Sequence, residues 1–354
     1  MLFPSLTVCA QWQMQTSNTT ADLRGIASVG NGVAWASGTY GTVLRTEDGG
    51  YLWQTCAAPP GAETLDFRGV QAFDANTAIV MSSGPGDQSR LYKTTDGCHT
   101  WKLVFTNPAK DGFWDAFRLC DNSLGVLVGD PVSGKFPLTW IVPTYARPNN
   151  YEEYVTARAG EAAFAASNTS LFVYSEEVWL GTGGAGGARV IRKSVHGVDP
   201  IGWVTYPSSD VPVGRHTESS GIFSLAFAVN GKPRPSELRN GVAVGGDYLN
   251  PGESAHTAAF TSNGGKTWHP AQTPPHGYRS AVAYDEKEKL WITVGPNGTD
   301  VSSDDGKNWR GVHPDKALGE APDADRNWNA LSLPFVVGPH GRIGKLEKRV
   351  VSGH

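Results

Sequence analysis

Three arginines and one aspartate occupy equivalent positions in a short repeated motif. The motif consists of an apolar residue, a variable residue, a small residue and a second apolar residue. Its seven copies place these residues at the variable position: Arg24, Arg68, Asp115, Ala162, Phe223, Arg279 and Asn329. If every copy begins an equivalent strand, the side chains point to one common place, where converging guanidinium groups bind a carboxylate or phosphate through paired hydrogen bonds. Alternatively, the charged residues pair with one another, because buried charges are normally paired.

We therefore predict an anion-binding site at the place where these positions meet. The residues assigned to it are Arg24, Arg68, Arg279 and Asn329, together with Asp247 at the end of another predicted strand. Asp130 and Glu218 also lie near predicted strand ends and are further candidates for a pocket at one mouth of the fold.

Neither a metal site nor a cofactor site is indicated by the sequence. The nine histidines show no paired spacing of the kind that zinc sites use. The glycine-rich run at 181–187 matches the dinucleotide-binding pattern formally, but a strand-like segment follows it where a helix is required. We expect no cofactor. An oxidoreductase is a third, weaker functional alternative, because the sequence shows no cofactor site for such an enzyme.

A second repeat, Ser/Thr-x-Asp-x-Gly-x-x-Trp, supplies turns that connect the strands. Its aspartate can bond to nearby backbone amides, and its glycine can take a positive φ. The tryptophan then anchors the outgoing strand. The residues that define the four copies are Thr46, Asp48, Gly50, Trp53; Thr94, Asp96, Trp101; Thr261, Asn263, Gly265, Trp268; and Ser302, Asp304, Gly306, Trp309. We predict that these acidic groups bond to turn amides and hold no metal.

The two repeats together define a unit of four short strands. A unit of this kind with a period of about 40 to 50 residues is typical of a β-propeller blade. Seven motif copies, the faintest at 161–164, predict an all-β, seven-bladed propeller of four-stranded antiparallel blades. The last unit, 328–346, contains only three strands. We predict that residues 11–15, which include Trp12, complete it and remove an open sheet edge.

Composition is consistent with one domain of this type. The chain of 354 residues contains 43 Gly, 23 Pro and 12 Trp, as many turns and aromatic anchors require. A net charge of −4 argues against a general nucleic-acid binder. No apolar run is long enough to predict a transmembrane helix. We divide the chain into a signal-peptide remnant at 1–10, the propeller at 11–346 and a tail at 347–354, and expect a secreted or periplasmic monomer.

The four cysteines, at positions 9, 56, 98 and 120, do not form a disulfide framework for a chain of this size. Cys56 and Cys98 lie close to turns of neighbouring predicted blades. They either form a disulfide or remain as two buried thiols, and the sequence leaves both possibilities open.

The segments TEDGGYLW, DFRGV, SGIFSLAF and VGPHGRIGKL resemble the photosystem II stability and assembly factor family, and more closely its bacterial relatives of unassigned function. The resemblance extends from about Gln11 to Leu346. It implies a propeller that binds a protein partner without catalysis, through a patch that includes arginines. Arg24, Arg68 and Arg279 are the candidates for that patch.

The turn repeats also resemble those of sialidases, which bind a carboxylate sugar with three arginines. This resemblance implies a glycoside hydrolase as the main alternative, with Tyr278 and Glu161 as a nucleophile pair and Asp115 as the acid. Sialidases are six-bladed, and they usually begin with the motif Phe-Arg-Ile-Pro. Residues 67–70 of this chain read Phe-Arg-Gly-Val and keep only the first half of that motif. We therefore expect a non-enzymatic binding propeller that captures a protein, or a small anionic or carbohydrate ligand, at an arginine-rich mouth of the ring.

Overall fold

The computed structural model describes residues 7–119, 125–141, 152–175, 177–194, 207–231, 234–315 and 319–351. In these ranges the chain forms seven antiparallel sheets, and the only helical elements are the short 3₁₀ turns Gly86–Gln88 and Pro235–Glu237. The predicted seven-bladed, all-β propeller is confirmed. No helix in the described ranges has the length and apolar character needed to cross a membrane.

The first strand along the chain, β1 (Thr7–Gln15), belongs to the last blade. Blades one to three follow in order. From inner to outer edge their strands are β2 (Leu23–Gly30), β3 (Val33–Gly38), β4 (Val43–Thr46) and β5 (Gln54–Thr55); β6 (Phe67–Ala72), β7 (Ala78–Ser82), β8 (Arg90–Thr94) and β9 (Lys102–Thr106); and β10 (Trp114–Leu119), β11 (Gly125–Gly129), β12 (Lys135–Ile141) and β13 (Glu152–Thr156).

Two short strands, β14 (Glu161–Ala162) and β17 (Gly183–Gly184), interrupt this order around blade four. The remaining strands of blades four to seven are β15 (Leu171–Tyr174), β16 (Glu177–Gly181), β18 (Arg189–Ser194) and β19 (Ser208–Asp210); β20 (Ser220–Phe227), β21 (Gly241–Asp247), β22 (Ala258–Thr261) and β23 (His269–Pro270); β24 (Ala281–Asp285), β25 (Leu290–Gly295), β26 (Gly298–Ser302) and β27 (Arg310–Val312); and β28 (Ala330–Ser332), β29 (Phe335–Val337) and β30 (Ile343–Val351).

The inner strand of blade four differs from the prediction. It is β15, whereas β14 pairs with β17 and joins the sheet of blade five through the contact of Gly183 with Gly221. This contact requires glycines, since a Cβ on Gly183 would lie 2.5 Å from the Gly221 Cα. The assignment of residues 161–164 as a seventh inner strand is therefore wrong, although the number of blades is unchanged.

The first strand closes the ring, as predicted. It pairs with β30 along its whole length, from Thr7 opposite Val351 to Gln15 opposite Ile343, so both strands extend beyond the predicted bounds of 11 and 346. Trp12 is buried, and its indole N–H donates to the Thr299 Oγ1 of blade six at 3.0 Å. This strand thereby connects the last blade to its neighbour as well as completing it.

The variable position of the inner motif is a β-bulge in four blades. At this position the pairing register of β2, β6, β10 and β20 skips one residue, and the skipped residues are Arg24, Arg68, Asp115 and Phe223. A bulge bends its strand and changes the direction of the side chain. The repeat therefore turns these four side chains out of the sheets toward the centre of the ring.

The small residue after each bulge leaves room for the next blade. A Cβ on Gly25 would lie 2.6 Å from the Ser37 Oγ and 3.2 Å from Val70 of blade two. In blade five the small residue is Ser224, whose hydroxyl accepts the Val282 N–H of blade six at 3.0 Å. Close packing between blades thus explains why the motif alternates large and small residues.

The four repeated turns form the same hydrogen bonds. In the first, the Thr46 hydroxyl donates to Asp48 Oδ1 at 2.8 Å and accepts the Gly50 N–H at 3.0 Å. Asp48 Oδ1 also accepts the Leu52 N–H at 3.1 Å. The other three turns repeat these bonds at 2.8–3.1 Å. Hydrogen bonds from Thr100 lower the pKa of Asp96 in the second turn to about 2.

The second turn also carries a disulfide. Cys98 replaces the glycine of the motif and has a φ of 66°. It is bonded to Cys56, which follows the outer strand of blade one, with the two Cα atoms 5.4 Å apart. The structure thus has the disulfide rather than two thiols, and the bond ties two neighbouring blades together. Cys120 lies outside the described residues.

Candidate functional site

Side chains from blades one, two, three, five and six line one open cavity of about 530 Å³, together with residues 162–166. Elements this far apart in the sequence meet only near the axis of the ring. All four bulged residues are part of the lining. The repeated motif therefore builds this cavity, and the side chains around it fall into a basic, an acidic and an aromatic group.

The basic group consists of Arg24 and Arg68, which share Asp66. Arg68 Nε donates to Asp66 Oδ2 at 2.8 Å, and its Nη1 donates to the Ala165 carbonyl at 3.2 Å. Arg24 Nε lies 3.7 Å from Asp66 Oδ1 and forms no hydrogen bond with any described residue. Each side chain is 30% exposed. The two guanidinium groups are therefore held in place and still have donors for a ligand.

The acidic group consists of Asp115, Asp130 and Glu218. Asp115 is 1% exposed, and its Oδ2 has no hydrogen-bond partner among the described residues. Burial and the negative charge of Asp130 raise the pKa of Asp115 well above its ordinary value, and Arg68 opposes this only in part. Burial also raises the pKa of Asp130, whose Oδ1 accepts the Ala163 N–H at 3.1 Å. Glu218 is exposed at the rim.

The aromatic group is centred on Phe223. Phe164 stacks on it at a centroid distance of 4.1 Å, and Tyr278 packs edge-on at 4.8 Å. Tyr248 lies 6.0 Å from Phe223 and is 48% exposed. Burial raises the pKa of Tyr278, which keeps its phenol neutral. This wall gives the cavity a rigid apolar side next to its charged groups.

Arg279, the third arginine of the motif, does not line the cavity. Its Nε donates to Asp300 Oδ2 at 2.9 Å and its Nη1 to Asn297 Oδ1 at 2.6 Å. Blade six lacks the bulge because its inner strand begins at Ala281, two residues after the arginine. The side chain is consequently directed into the blade, where it is 1% exposed.

Two other residues assigned to the ligand site form bonds within the scaffold. Asn329 Nδ2 donates to the Leu23 carbonyl at 2.8 Å and so connects blade seven to blade one. Asp247 accepts hydrogen bonds from Ser219 Oγ at 2.6 Å and from the Leu249 N–H at 3.0 Å. Neither side chain is part of the cavity lining.

Of the three candidate catalytic residues, Asp115 and Tyr278 line the cavity and Glu161 does not. The Glu161 carboxylate accepts hydrogen bonds from Arg189 Nε at 2.7 Å and from Arg189 Nη2 at 2.9 Å. It also accepts Thr182 Oγ1 at 2.6 Å and the Arg158 N–H at 2.8 Å. Both carboxylate oxygens are thus used in a buried ion pair that fixes β14 to β18.

Sequence reasoning missed Asp66, Phe164 and Tyr248. A signal for the first was present, since an aspartate stands two positions before both Arg24 and Arg68. The aromatic residues carry no such signal, because they reach the cavity from a loop and from the end of β21. Within the described ranges, no three His, Cys, Asp or Glu side chains are grouped so that they could hold a metal ion.

Comparison with known proteins gives matches by structure only. No protein-family model and no curated protein matches the sequence. A solved structure described as YCF48 bound to D1 peptide superposes with a TM-score of 0.60 at 15% identity, covering 95% of this chain and 96% of the other. YCF48 from Cyanidioschyzon merolae superposes with a TM-score of 0.62 at 17% identity, covering 95% and 98%. The resemblance to photosystem II assembly factors is thereby confirmed in the fold: this chain shares the seven-bladed propeller of YCF48.

Proposed function

We propose that this protein is a non-catalytic binding propeller that captures a segment of a protein partner in the axial cavity. Arg24 and Arg68 bind a carboxylate of that segment. The observation that carries the proposal is the convergence of these two arginines on one open cavity, where each side chain is 30% exposed and Arg24 Nε forms no hydrogen bond with any described residue. Guanidinium groups bind carboxylates through paired, charge-assisted hydrogen bonds.

Three further facts support this proposal. A propeller of the same fold, YCF48, has been solved bound to D1 peptide. The cavity volume of about 530 Å³ lies in the range of about 300 to 1,000 Å³ that is usual for ligand sites. The rim residue Tyr248 is half exposed and offers an aromatic contact of the type enriched at protein interfaces.

The hydrolase alternative receives less support from the geometry. It requires three convergent arginines, but Arg279 is bonded to Asp300. It also requires Glu161 to assist Tyr278, whereas Glu161 is paired with Arg189. A tyrosine whose pKa is raised by burial is a poor nucleophile.

We also propose that the protein works in an oxidising compartment, either outside the cell or in a periplasm. The Cys56–Cys98 bond supports this, because disulfides persist in such compartments and are rare in reducing ones. Thiol titration of the protein isolated from its host under acid-quenched conditions tests it. Blocked thiols at both positions are expected, and free thiols would contradict the assignment.

Binding can be tested with fluorescein-labelled hexapeptide pools that carry Asp or Glu at one fixed position, compared with matched Asn and Gln pools. We expect saturable binding of acidic pools by fluorescence anisotropy. Loss of one hydrogen bond to a charged group is worth about 1.5 to 3 kcal/mol, so Arg68→Ala should weaken binding about tenfold or more.

Arg310→Ala is the matched control, because Arg310 is exposed on the outer strand of blade six. Equal binding by wild type, Arg68→Ala and Arg310→Ala would refute the proposed role of the cavity. Turnover of a fluorogenic sialoside that is lost in Asp115→Ala would favour the hydrolase. Binding of free sialic acid without turnover would instead point to a small carbohydrate ligand.

A further inference from the structure

The arginines of the cavity are largely balanced by acids before any ligand binds. Arg68 is paired with Asp66 at 2.8 Å, and Arg24 lies 3.7 Å from Asp66 and 4.0 Å from Asp22. Asp115, Asp130 and Glu218 then add three further carboxyl groups to the lining. An anion alone would satisfy the basic side and leave the acidic side without a counter-charge.

Asp115 is the least satisfied of these acids. Asp115 belongs to the cavity wall, its side chain is more than nine-tenths buried, and its Oδ2 lacks a hydrogen-bond partner among the described residues. Buried carboxyl groups in folded proteins are normally hydrogen-bonded or paired. No described basic residue forms an ion pair with Asp115 or Asp130 at 4.0 Å or less. The missing partner of this oxygen is therefore expected from a ligand.

The aromatic wall meets the acidic side at residues 163 and 164, because Asp130 accepts the Ala163 N–H and Phe164 stacks on Phe223. Phe223 and Tyr278 belong to the same cavity lining as Asp115, and Tyr248 stands at the rim with Glu218. A cation gains free energy from a nearby aromatic ring face, and the methylene stem of lysine or arginine packs on such rings. Carboxyl groups beside aromatic rings form a suitable environment for an ammonium or guanidinium group.

We propose that the acidic side of the cavity, formed by Asp115, Asp130 and Glu218, binds a lysine or arginine side chain of the captured segment. The inference rests on the proposed function, and it specifies the ligand as a dipolar segment. A carboxylate of the segment lies against Arg24 and Arg68, and a basic side chain lies against the acidic side. Both halves of the cavity then have counter-charges.

The test uses labelled hexapeptides that keep one aspartate and carry lysine, acetyl-lysine or norleucine at each other position in turn. For the wild-type protein we expect at least one lysine peptide to bind about tenfold more tightly than its acetyl-lysine and norleucine counterparts. This preference should fall below twofold in the Asp115→Asn/Asp130→Asn protein. Glu286→Gln, in the turn after β24 and outside the cavity lining, should keep the full preference.

Arg68→Ala separates this inference from the proposed function, because it should weaken the lysine and acetyl-lysine peptides by the same factor. Peptides that bind through Arg68 with no preference for lysine would overturn the inference and leave the proposed function standing. A lysine preference that persists in Asp115→Asn/Asp130→Asn would also overturn it. If the lysine preference is lost in Asp115→Asn/Asp130→Asn but Arg68→Ala leaves the affinity of every peptide unchanged, the cation site would be supported and the role of the arginines refuted.

Discussion

Replacement of Glu161 by glutamine separates a structural role of this residue from a catalytic one. In the structure its carboxylate accepts four hydrogen bonds, two of them from Arg189, and its side chain is fully buried. Glutamine keeps the shape but offers one acceptor oxygen and introduces two donors. Arg189, whose side chain is only 10% exposed, would lose its counter-charge.

The expected cost follows from this burial. Removing one partner of a buried ion pair costs about 3 to 5 kcal/mol, because the remaining charge is neither hydrated nor compensated. Such a loss is a large part of the total stability of about 5 to 15 kcal/mol of a typical folded protein. We expect Glu161→Gln to lower the free energy of unfolding by about 3 to 5 kcal/mol.

Urea unfolding followed by tryptophan fluorescence measures this change. Glu237→Gln is the matched control, since Glu237 also pairs with an arginine, Arg234, but at an exposed site where an ion pair contributes little to stability. If Glu161→Gln changed stability by less than about 1 kcal/mol and abolished turnover of a glycoside, the reasoning would be refuted and Glu161 would return as a catalytic residue.

Three further predictions concern the ring and its cavity. Trp12→Ala should lower the free energy of unfolding by about 3 to 5 kcal/mol, since Trp12 is buried and bonded to Thr299; a urea midpoint equal to wild type would show that β1 does not close the ring. Cys56 and Cys98 are 42 residues apart, so reduction of their disulfide should lower the free energy of unfolding by about 4 kcal/mol according to the chain-entropy relation. A urea midpoint that is unchanged in dithiothreitol would contradict this prediction. Burial and Asp130 raise the pKa of Asp115 despite Arg68, so its ionisation destabilises the fold as the pH rises above the unfolded value. Asp115→Asn should therefore gain stability relative to wild type as the pH rises above about 4, and parallel stability curves would be the contrary result.

The architecture could be predicted because it depends on local repeats. The turn motif fixes a set of hydrogen bonds within eight residues, and the inner motif combines a bulge with a small residue that the next blade requires. Closure by residues 11–15 was predictable for the same reason, since the last unit lacked one strand and Trp12 matched the position of the other anchors. The misassigned copy at 161–164 matched the composition of the motif, but it forms the short strand β14, and the true inner strand, β15, begins ten residues later.

The site was only partly predictable, because its contacts connect distant parts of the chain. Because Arg24, Arg68 and Asp115 occupy equivalent positions of the repeated motif, the sequence correctly predicted that they lie around one cavity. The same logic included Arg279, since periodicity cannot show that Asp300 lies beside it in the folded blade. Whether a charged side chain faces a ligand or a buried partner depends on such contacts, which no repeat encodes.

The central claim is that Arg68 contacts a carboxylate of the captured segment in the cavity. A double-mutant cycle tests it most directly: the best-binding acidic hexapeptide and its Asp→Asn counterpart are each titrated against wild type and Arg68→Ala by calorimetry. We expect a coupling free energy of about 1.5 kcal/mol or more, so that the second change costs little once the first is made. Additive losses, with a coupling near zero, would show that the aspartate and Arg68 do not interact and would contradict the account.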